Sequence, residues 1–390
     1  AMKYYEDDLN SNLNDYVPQS PDGRDTAPHQ HMVTYSVSFG VTGSISEADR
    51  QTYANCPVGS CPASWPSTSS RSGKIDDLFH AAINGRGEYI NASNPLELLT
   101  AIEKMKNSIL TRMGSAAAVA TNSIQRQVGT TVYQGIYHTD NWWGDVVAKS
   151  INTDGSIGSN VWNPTAKDSL AAIAWADRVV LTYDGSSGLA FTDANAASIG
   201  LDANLINYLR GDTSNNVDHT GGTYRVRSSL IGDIVHSAPF YYDGMVYIGA
   251  NDGMLHVLNA STGVEEFAYV PKVVIDEGYL DDYATPGYTH KFFVDNTVHV
   301  RDIGATNLLV GGLRKGGKGY YCLDVTDPTA ITEGQANTVV KWEYTASGDD
   351  DLGYSYSRAY IVKTAAAGWV VIFGNGYGSV NEEAVLYVLD

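Results

Sequence analysis

The chain is poor in basic residues and poorer still in cysteine. Its 390 residues carry 25 Lys+Arg against 44 Asp+Glu, a formal net charge of -19 at pH 7. That balance excludes unspecific nucleic-acid binding, which needs a basic footprint to displace counterions. It also disfavours adhesion to anionic lipid, and a solvated acidic surface accounts for it without any further function. No apolar run approaches the roughly 20 residues of a membrane-spanning helix, so no transmembrane segment is expected. The acidic opening "AMKYYEDDLN" lacks the apolar stretch of a signal peptide. The chain therefore suits either a cytosolic protein or a mature or cropped piece of an exported one.

Only three cysteines are present. Cys56 and Cys61 sit in "NCPVGSCP", a Pro/Gly loop short enough for a local disulfide. The alternatives are two free thiols, or a zinc pair that would still lack two ligands of the same kind. A bridge favours an oxidising compartment. Cys322, in "GYYCLDV", has the setting of a buried small hydrophobe.

What the chain has in quantity is glycine (39) and tyrosine (26), with an ordinary 43% hydrophobic content. This suits a folded, loop-rich β protein with aromatic faces, long enough for two or three domains. Composition shifts near residue 115. Before it, "MVTYSVSFGV" (32–41) alternates as a strand, "KIDDLFHAAING" is a short helix ended by Gly85, and "GEYINA" is another strand. "NPLELLTAIEKMKNSI" then predicts a helix, with Asn94 as N-cap, Pro95 at the first helical position and Leu98, Ile102, Met105 and Ile109 on one stripe. That order implies an α/β layer.

After the small-residue stretch "GSAAAVATNS" helical patterns nearly vanish and strand pairs recur. "GMVYIGANDGMLHVLNASTG" (244–263) is a hairpin turned by Asn251-Asp252-Gly253. "TNLLVGGLRKGGKGYYCLDVTDP" and "GWVVIFGNGYGSVNEEAVLYVLD" repeat its order of apolar strand, glycine-rich turn and apolar strand. Leading strands near Val132, Val180, Val246, Leu308 and Val371 lie about 50 to 65 residues apart, which points to propeller blades of four strands. A sandwich would not explain the recurring turn. The expected organisation is 1–112 α/β, 113–127 linker and 128–390 an incomplete β-propeller of about five blades, truncated at its end, in a mainly β chain.

Chemical motifs are weak. "HQH" (29–31) could share a metal but has no third ligand nearby. Asp349, Asp350 and Asp351 in "SGDDDLGY" lack the spacing of an EF-hand and suit a solvated loop. "GGLRKGGKG" lacks the P-loop signature and leads into a strand, as a blade turn does. Asp233, His236 and Ser237 suggest a triad, but no nucleophile-elbow sequence surrounds them, and a structural hydrogen bond is the expectation for His236. Of the irregular inserts 184–228 and 272–300, the second places Tyr279, Tyr283, Tyr288 and Phe292 among acids. That composition suits a protein interface, and these four are the candidate partner contacts.

The segment "GANDGMLHVLNASTGVEE" resembles the blade motif of quinone-dependent alcohol dehydrogenases, where it is structural and does not hold the cofactor. Neither a vicinal cysteine pair nor a calcium-binding Asp/Glu set accompanies it. A wider set of stretches resembles the type IV pilus tip-associated adhesins of the PilY family. These are "DGRDTAPHQHMVTYSVSFGV", "KIDDLFHAAINGRGEYINASNP", "LINYLRGD", "YRVRSSLIGDIVHSAPFYYDGMVYIGANDGMLHVLNASTG", "LLVGGLRKGGKGYYCLDVTDP", "DLGYSYSRAYIV" and "VVIFGNGYG…AVLYVLD", in the family's order. This resemblance implies an exported, non-enzymatic protein at the pilus tip or outer surface of a bacterium. It also implies the later part of a von Willebrand factor A-like domain in 1–112, followed by quinoprotein-like blades. Implied partners are minor pilins, the pilus tip and a host or abiotic surface ligand, in pilus biogenesis, adhesion and twitching. The adhesion-type metal motif Asp-x-Ser-x-Ser is missing, and the family's calcium loop is expected beyond Asp390. No metal ligand or cofactor is therefore assigned within this chain, with Ca2+ left to the full-length protein. A quinone-dependent dehydrogenase-like enzyme and a general propeller scaffold are the competing readings.

Overall fold

The computed structural model describes residues 1–12, 17, 25–54, 65–92, 98, 119–121, 130–139, 141–153 and 156–390. Apart from Leu98, the expected helix at 94–109 lies outside the described residues, as does the pair Cys56 and Cys61. The chain divides into two compact units, Ala1–Gly114 and Ser115–Asp390.

In the first unit, β1 (Thr34–Phe39) pairs in parallel with β2 (Arg86–Ala92), joined by the helix Arg71–Asn84. Ser70 caps that helix by accepting the Gly73 N–H at 2.9 Å, and Gly85 ends it. Its inner stripe, Ile75, Phe79, Ala82 and Ile83, is buried. Asp76 on the same helix is buried too, and it accepts the Ser44 N–H at 2.7 Å and the Ser44 hydroxyl at 2.5 Å. The "HQH" imidazoles serve structure: His29 Nε2 meets the Tyr5 carbonyl at 2.9 Å, and His31 meets the Asp25 carboxylate at 3.0 Å. Among the described residues, no cluster of His, Cys, Asp or Glu has the makings of a metal site.

The second unit is built of antiparallel blades. The first holds β3 (Val119–Thr121), β4 (Thr131–His138), β5 (Trp143–Ile151) and β6 (Ile157–Asn160), so part of the expected linker is an edge strand. Next along the chain come β7 (Val180–Tyr183) and β8 (Gly188–Ala190). The second blade holds β9 (Phe240–Tyr242), β10 (Met245–Gly249), β11 (Leu255–Asn259) and β12 (Glu265–Val270). The third holds β13 (His299–Asp302), β14 (Asn307–Gly312), β15 (Gly319–Asp324) and β16 (Val340–Thr345). The last sheet has β17 (Tyr360–Thr364), β18 (Gly368–Gly374) and β19 (Leu386–Leu389). Among the described residues these sheets do not close into a ring.

One expectation is corrected here. Val180 does not head a blade of its own: β7 pairs in parallel with β12, and β8 extends that sheet outward. Among the described residues the second unit holds two four-stranded sheets, one three-stranded sheet and the second blade, which the β7–β8 hairpin extends to six strands.

The hairpin at 244–263 is the centre of its blade. β10 is buried on both faces. Val246, Ile248 and Ala250 join a core with Tyr133, Val146 and Ile234, while Tyr247, on the opposite face, joins one with Leu309, Tyr321 and Leu323. Period-two alternation thus sends successive side chains into the packing against different sheets. A third core, with Val310, Tyr320 and Cys322 against Ile361, Val371 and Phe373, joins the third blade to the last.

A candidate aromatic cleft on the blade turns

The turn Asn251-Asp252-Gly253 locks the second blade. Gly253 sits at φ +96°, in the left-handed region where a side chain is strained. Asp252 Oδ1 accepts the Met254 N–H at 2.8 Å, and its Oδ2 accepts the Gly232 N–H at 2.6 Å and His256 Nε2–H at 2.9 Å. His256 Nδ1–H donates to Glu265 at 2.7 Å, and Arg178 grips Glu265 through two donors at 2.9 and 3.0 Å. All four side chains are buried. Burial alone would lower the His256 pKa, but Asp252 and Glu265 outweigh it and raise it to about 9. Burial opposes ionisation of Glu265 as well, yet Arg178 and His256 bring it down to about 2. The network is a neutral ion quartet that fastens β11, β12 and the turn.

The triad suggested by Asp233, His236 and Ser237 does not exist. Ser237 is buried and accepts the Gly249 N–H at 2.9 Å. His236 Nδ1 lies 2.6 Å from Asp295, whereas Asp233 binds His290 at 2.7 Å and the Asn251 amide at 2.8 Å. His236 thus ties the segment leading into β9 to the segment leading into β13. The Asp349 loop is likewise a tie, since Asp349 accepts the hydroxyls of Tyr344 at 2.6 Å and Tyr387 at 2.7 Å. Those phenols hold its carboxyl below the usual carboxylate range. "LRKGG" forms the turn between β14 and β15.

Above these ties lies a cleft of about 320 Å³ lined by Tyr279, His290, Lys291, Phe292, Lys315, Tyr354, Tyr356 and Tyr377. Four connections supply it: β12 to β13, β14 to β15, β16 to β17, and β18 to β19. Cations stack over its rings. Lys291 Nζ is 3.7 Å from the Tyr279 centroid, Lys315 Nζ 5.6 Å from Phe292, Lys318 Nζ 5.4 Å from Tyr354, and Arg314 Cζ 5.3 Å from Tyr356. Tyr377 is 75% exposed and forms the open rim. Burial raises the Tyr354 pKa, with the Glu277 charge adding to it.

Of the four candidate contacts, Tyr279 and Phe292 line this cleft. Tyr283 does not belong to any surface: it is 1% exposed, edge-on to Tyr288 and Phe293, with the Arg225 guanidinium 4.3 Å from its centroid. Burial pushes its phenol up to about 12. Tyr288 folds under the loop as well, where its hydroxyl accepts the Lys291 N–H at 2.8 Å and Arg225 lies 4.7 Å away. Of the insert's five Tyr and Phe rings, Tyr279 and Phe292 line the cleft, while Tyr283, Tyr288 and Phe293 pack under the loop. Tyr354, Tyr356, Tyr377 and Lys315 were missed as site residues. They stand in "GYSYSR", "GNGYG" and "GLRKGG", stretches legible as blade turns but not as neighbours.

Residues 234–390 match the family described as the PilY1 beta-propeller domain. The chain is 30% identical to the type IV pilus biogenesis factor PilY1 of Pseudomonas aeruginosa strain UCBPP-PA14, over 100% of its own length and 40% of that protein. It is also 30% identical to a PilY1 homolog of Xylella fastidiosa strain Temecula1, over 81% of this chain and 29% of that one. Among solved structures it is similar to the Pseudomonas aeruginosa PilY1 C-terminal domain. That match has 37% identity and a TM-score of 0.30, and covers 37% of this chain and 27% of that one. The chain thus spans 40% of the length of the first of these relatives. Residues 234–390 belong to the PilY1 β-propeller domain family, and the chain is similar to PilY1 proteins along its whole length.

Proposed function

We propose that the chain is part of a type IV pilus-associated assembly factor and adhesin, non-enzymatic, acting at the pilus tip or outer cell surface. The observation that carries this reading is the similarity along the whole chain to proteins named as type IV pilus biogenesis factors. In this reading the propeller docks minor pilins or a surface ligand through loops held by a rigid scaffold, and the cleft of Tyr279, Phe292, Tyr354 and Tyr356 is one such surface. The parallel strand–helix–strand unit before it supports the expected von Willebrand factor A-like part. A non-catalytic role is supported by Ser237, whose buried hydroxyl accepts the Gly249 N–H, and by His236, whose Nδ1 faces Asp295 instead of Ser237. Among the described residues no helix is long and apolar enough to cross a membrane.

Deleting the gene in the bacterium that makes the protein should reduce surface pili and twitching, and a deletion strain with normal pili and motility would overturn the proposal. Alanine at Tyr279 and Phe292 in the full-length protein should cut piliation or adhesion while export and folding persist. Normal values for both would place the docking surface elsewhere.

A further inference from the structure

We infer that the aromatic cleft is a saccharide site, selective for a sugar ring that carries a carboxylate. The inference rests on the proposal that this cleft is a contact surface, but not on the pilus. Its wall is the first ground. The lining has five aromatic rings (Tyr279, Phe292, Tyr354, Tyr356 and Tyr377) and no aliphatic side chain. A groove for an amphipathic helix or an added strand would offer aliphatic walls or an open strand edge for backbone pairing. This one offers flat faces and phenol hydroxyls, which suit a ring with C–H faces and hydroxyl edges.

Charge is the second ground. Among the described residues no Asp or Glu lines the cleft, although the chain carries 44 of them against 25 Lys+Arg. The basic side chains around it are mostly committed: Lys291 pairs with Asp282 at 2.6 Å, the His290 ring meets Asp233 at 2.7 Å, and Lys318 donates to the Gly378 carbonyl at 2.6 Å. Arg314 faces the buried Asp295 at 3.7 Å. Lys315 is the exception: its ammonium stands over the Phe292 ring and makes no ion pair among the described residues. It is the group that would receive a carboxylate.

Size and order are the third. A volume of about 320 Å³ lies at the small end for ligand sites, suited to one or two sugar rings rather than a protein surface. Stacked cations hold four of the five rings beforehand, all but Tyr377, so less side-chain freedom remains to be lost on binding.

The test is calorimetric titration of the full chain with oligosaccharides carrying glucuronate, galacturonate or sialic acid, alongside their carboxyl-reduced analogues and an acidic peptide. Saturable binding of at least one acidic sugar is expected, weaker by roughly tenfold for its neutral analogue. Tyr354→Ala and Tyr356→Ala should each weaken binding by roughly tenfold, with circular dichroism confirming the fold. Lys315→Met should leave the neutral sugar unchanged and abolish the preference for the acidic one. The inference is overturned if no member of the panel binds, if Lys315→Met leaves the preference intact, or if the peptide alone binds. Reduced piliation in the gene deletion together with a blank titration would overturn only this assignment.

Discussion

Replacing His256 by Gln should remove a pH dependence that the folded chain owes to one buried proton. His256 lies wholly inside the second blade, between Asp252 at 2.9 Å and Glu265 at 2.7 Å. Its pKa rises from 6.5 to about 9 because the two carboxylates outweigh burial. A folded value above the unfolded one means that the stabilisation is complete below pH 6.5 and disappears as pH climbs through 9. The size is about 3 kcal/mol, with a slope near 1.4 kcal/mol per pH unit inside that window. Glu265, brought down from 4.5 to about 2, acts with the opposite sign: its share is present above pH 4.5 and is lost as pH falls towards 2. Both values describe the same contacts, so they are not added. Stability should therefore be greatest between about pH 4.5 and 6.5. In the Gln variant Asp252 and Glu265 face each other with Arg178 as the remaining cation, which costs about 3–5 kcal/mol near pH 6. Urea unfolding of the β unit, followed by near-ultraviolet circular dichroism from pH 5.5 to 9.5, reads the difference between the two proteins. It should shrink steadily above pH 6.5. Parallel curves for wild type and variant, or a His256 ring that titrates near 6.5 by NMR, would refute the reasoning.

Thiol chemistry gives a second check. Burial pushes the Cys322 thiol up to about 12, so it should resist maleimide in the folded chain and react once urea exposes it. With Cys56 and Cys61 bonded to each other, the unfolded, unreduced chain should take up one maleimide, and mass mapping that found both free would disprove the bridge. Cys→Ser there should cost at most roughly 3 kcal/mol, since the loop is short. His236→Ala should leave the buried Asp295 short of its closest hydrogen-bond partner, lowering stability by about 1–3 kcal/mol. Esterase assays on both proteins should be blank, and an activity lost in this variant would restore the triad reading.

How much of this was legible follows from where each signal resides. Asp252-Gly253 between apolar runs is local, and the hairpin it announces is the one that β10 and β11 form. Val180 misled because its strand has the right composition and spacing, while its pairing is decided by β12, far along the chain. Nothing in the sequence distinguishes a strand that starts a blade from one that caps its edge. Tyr283 and Tyr288 misled for a related reason. A tyrosine is amphipathic, and its direction here is set by Arg225, which arrives from the insert before β9.

The cleft was hidden because no two of its walls are close in sequence, yet the repeat itself contained the means to find it. "GANDG", "GGLRKGG" and "GNGYG" all follow the second strand of a sheet, so the propeller geometry places these turns at one end of neighbouring blades. Superposing the repeats brings Lys315 of the second turn to the same end as Tyr377 of the third. The connections into β13 and β17 must open at that end as well, because they lead into the first strand of the next sheet. That adds Phe292 and Tyr356. Residues that interrupt an otherwise structural repeat are thus the ones to suspect of binding. Asp252 builds the blade that carries it, whereas at the matching turns the chain places a lysine with no ion pair among the described residues and a tyrosine turned out to solvent. Neither adds much to the fold.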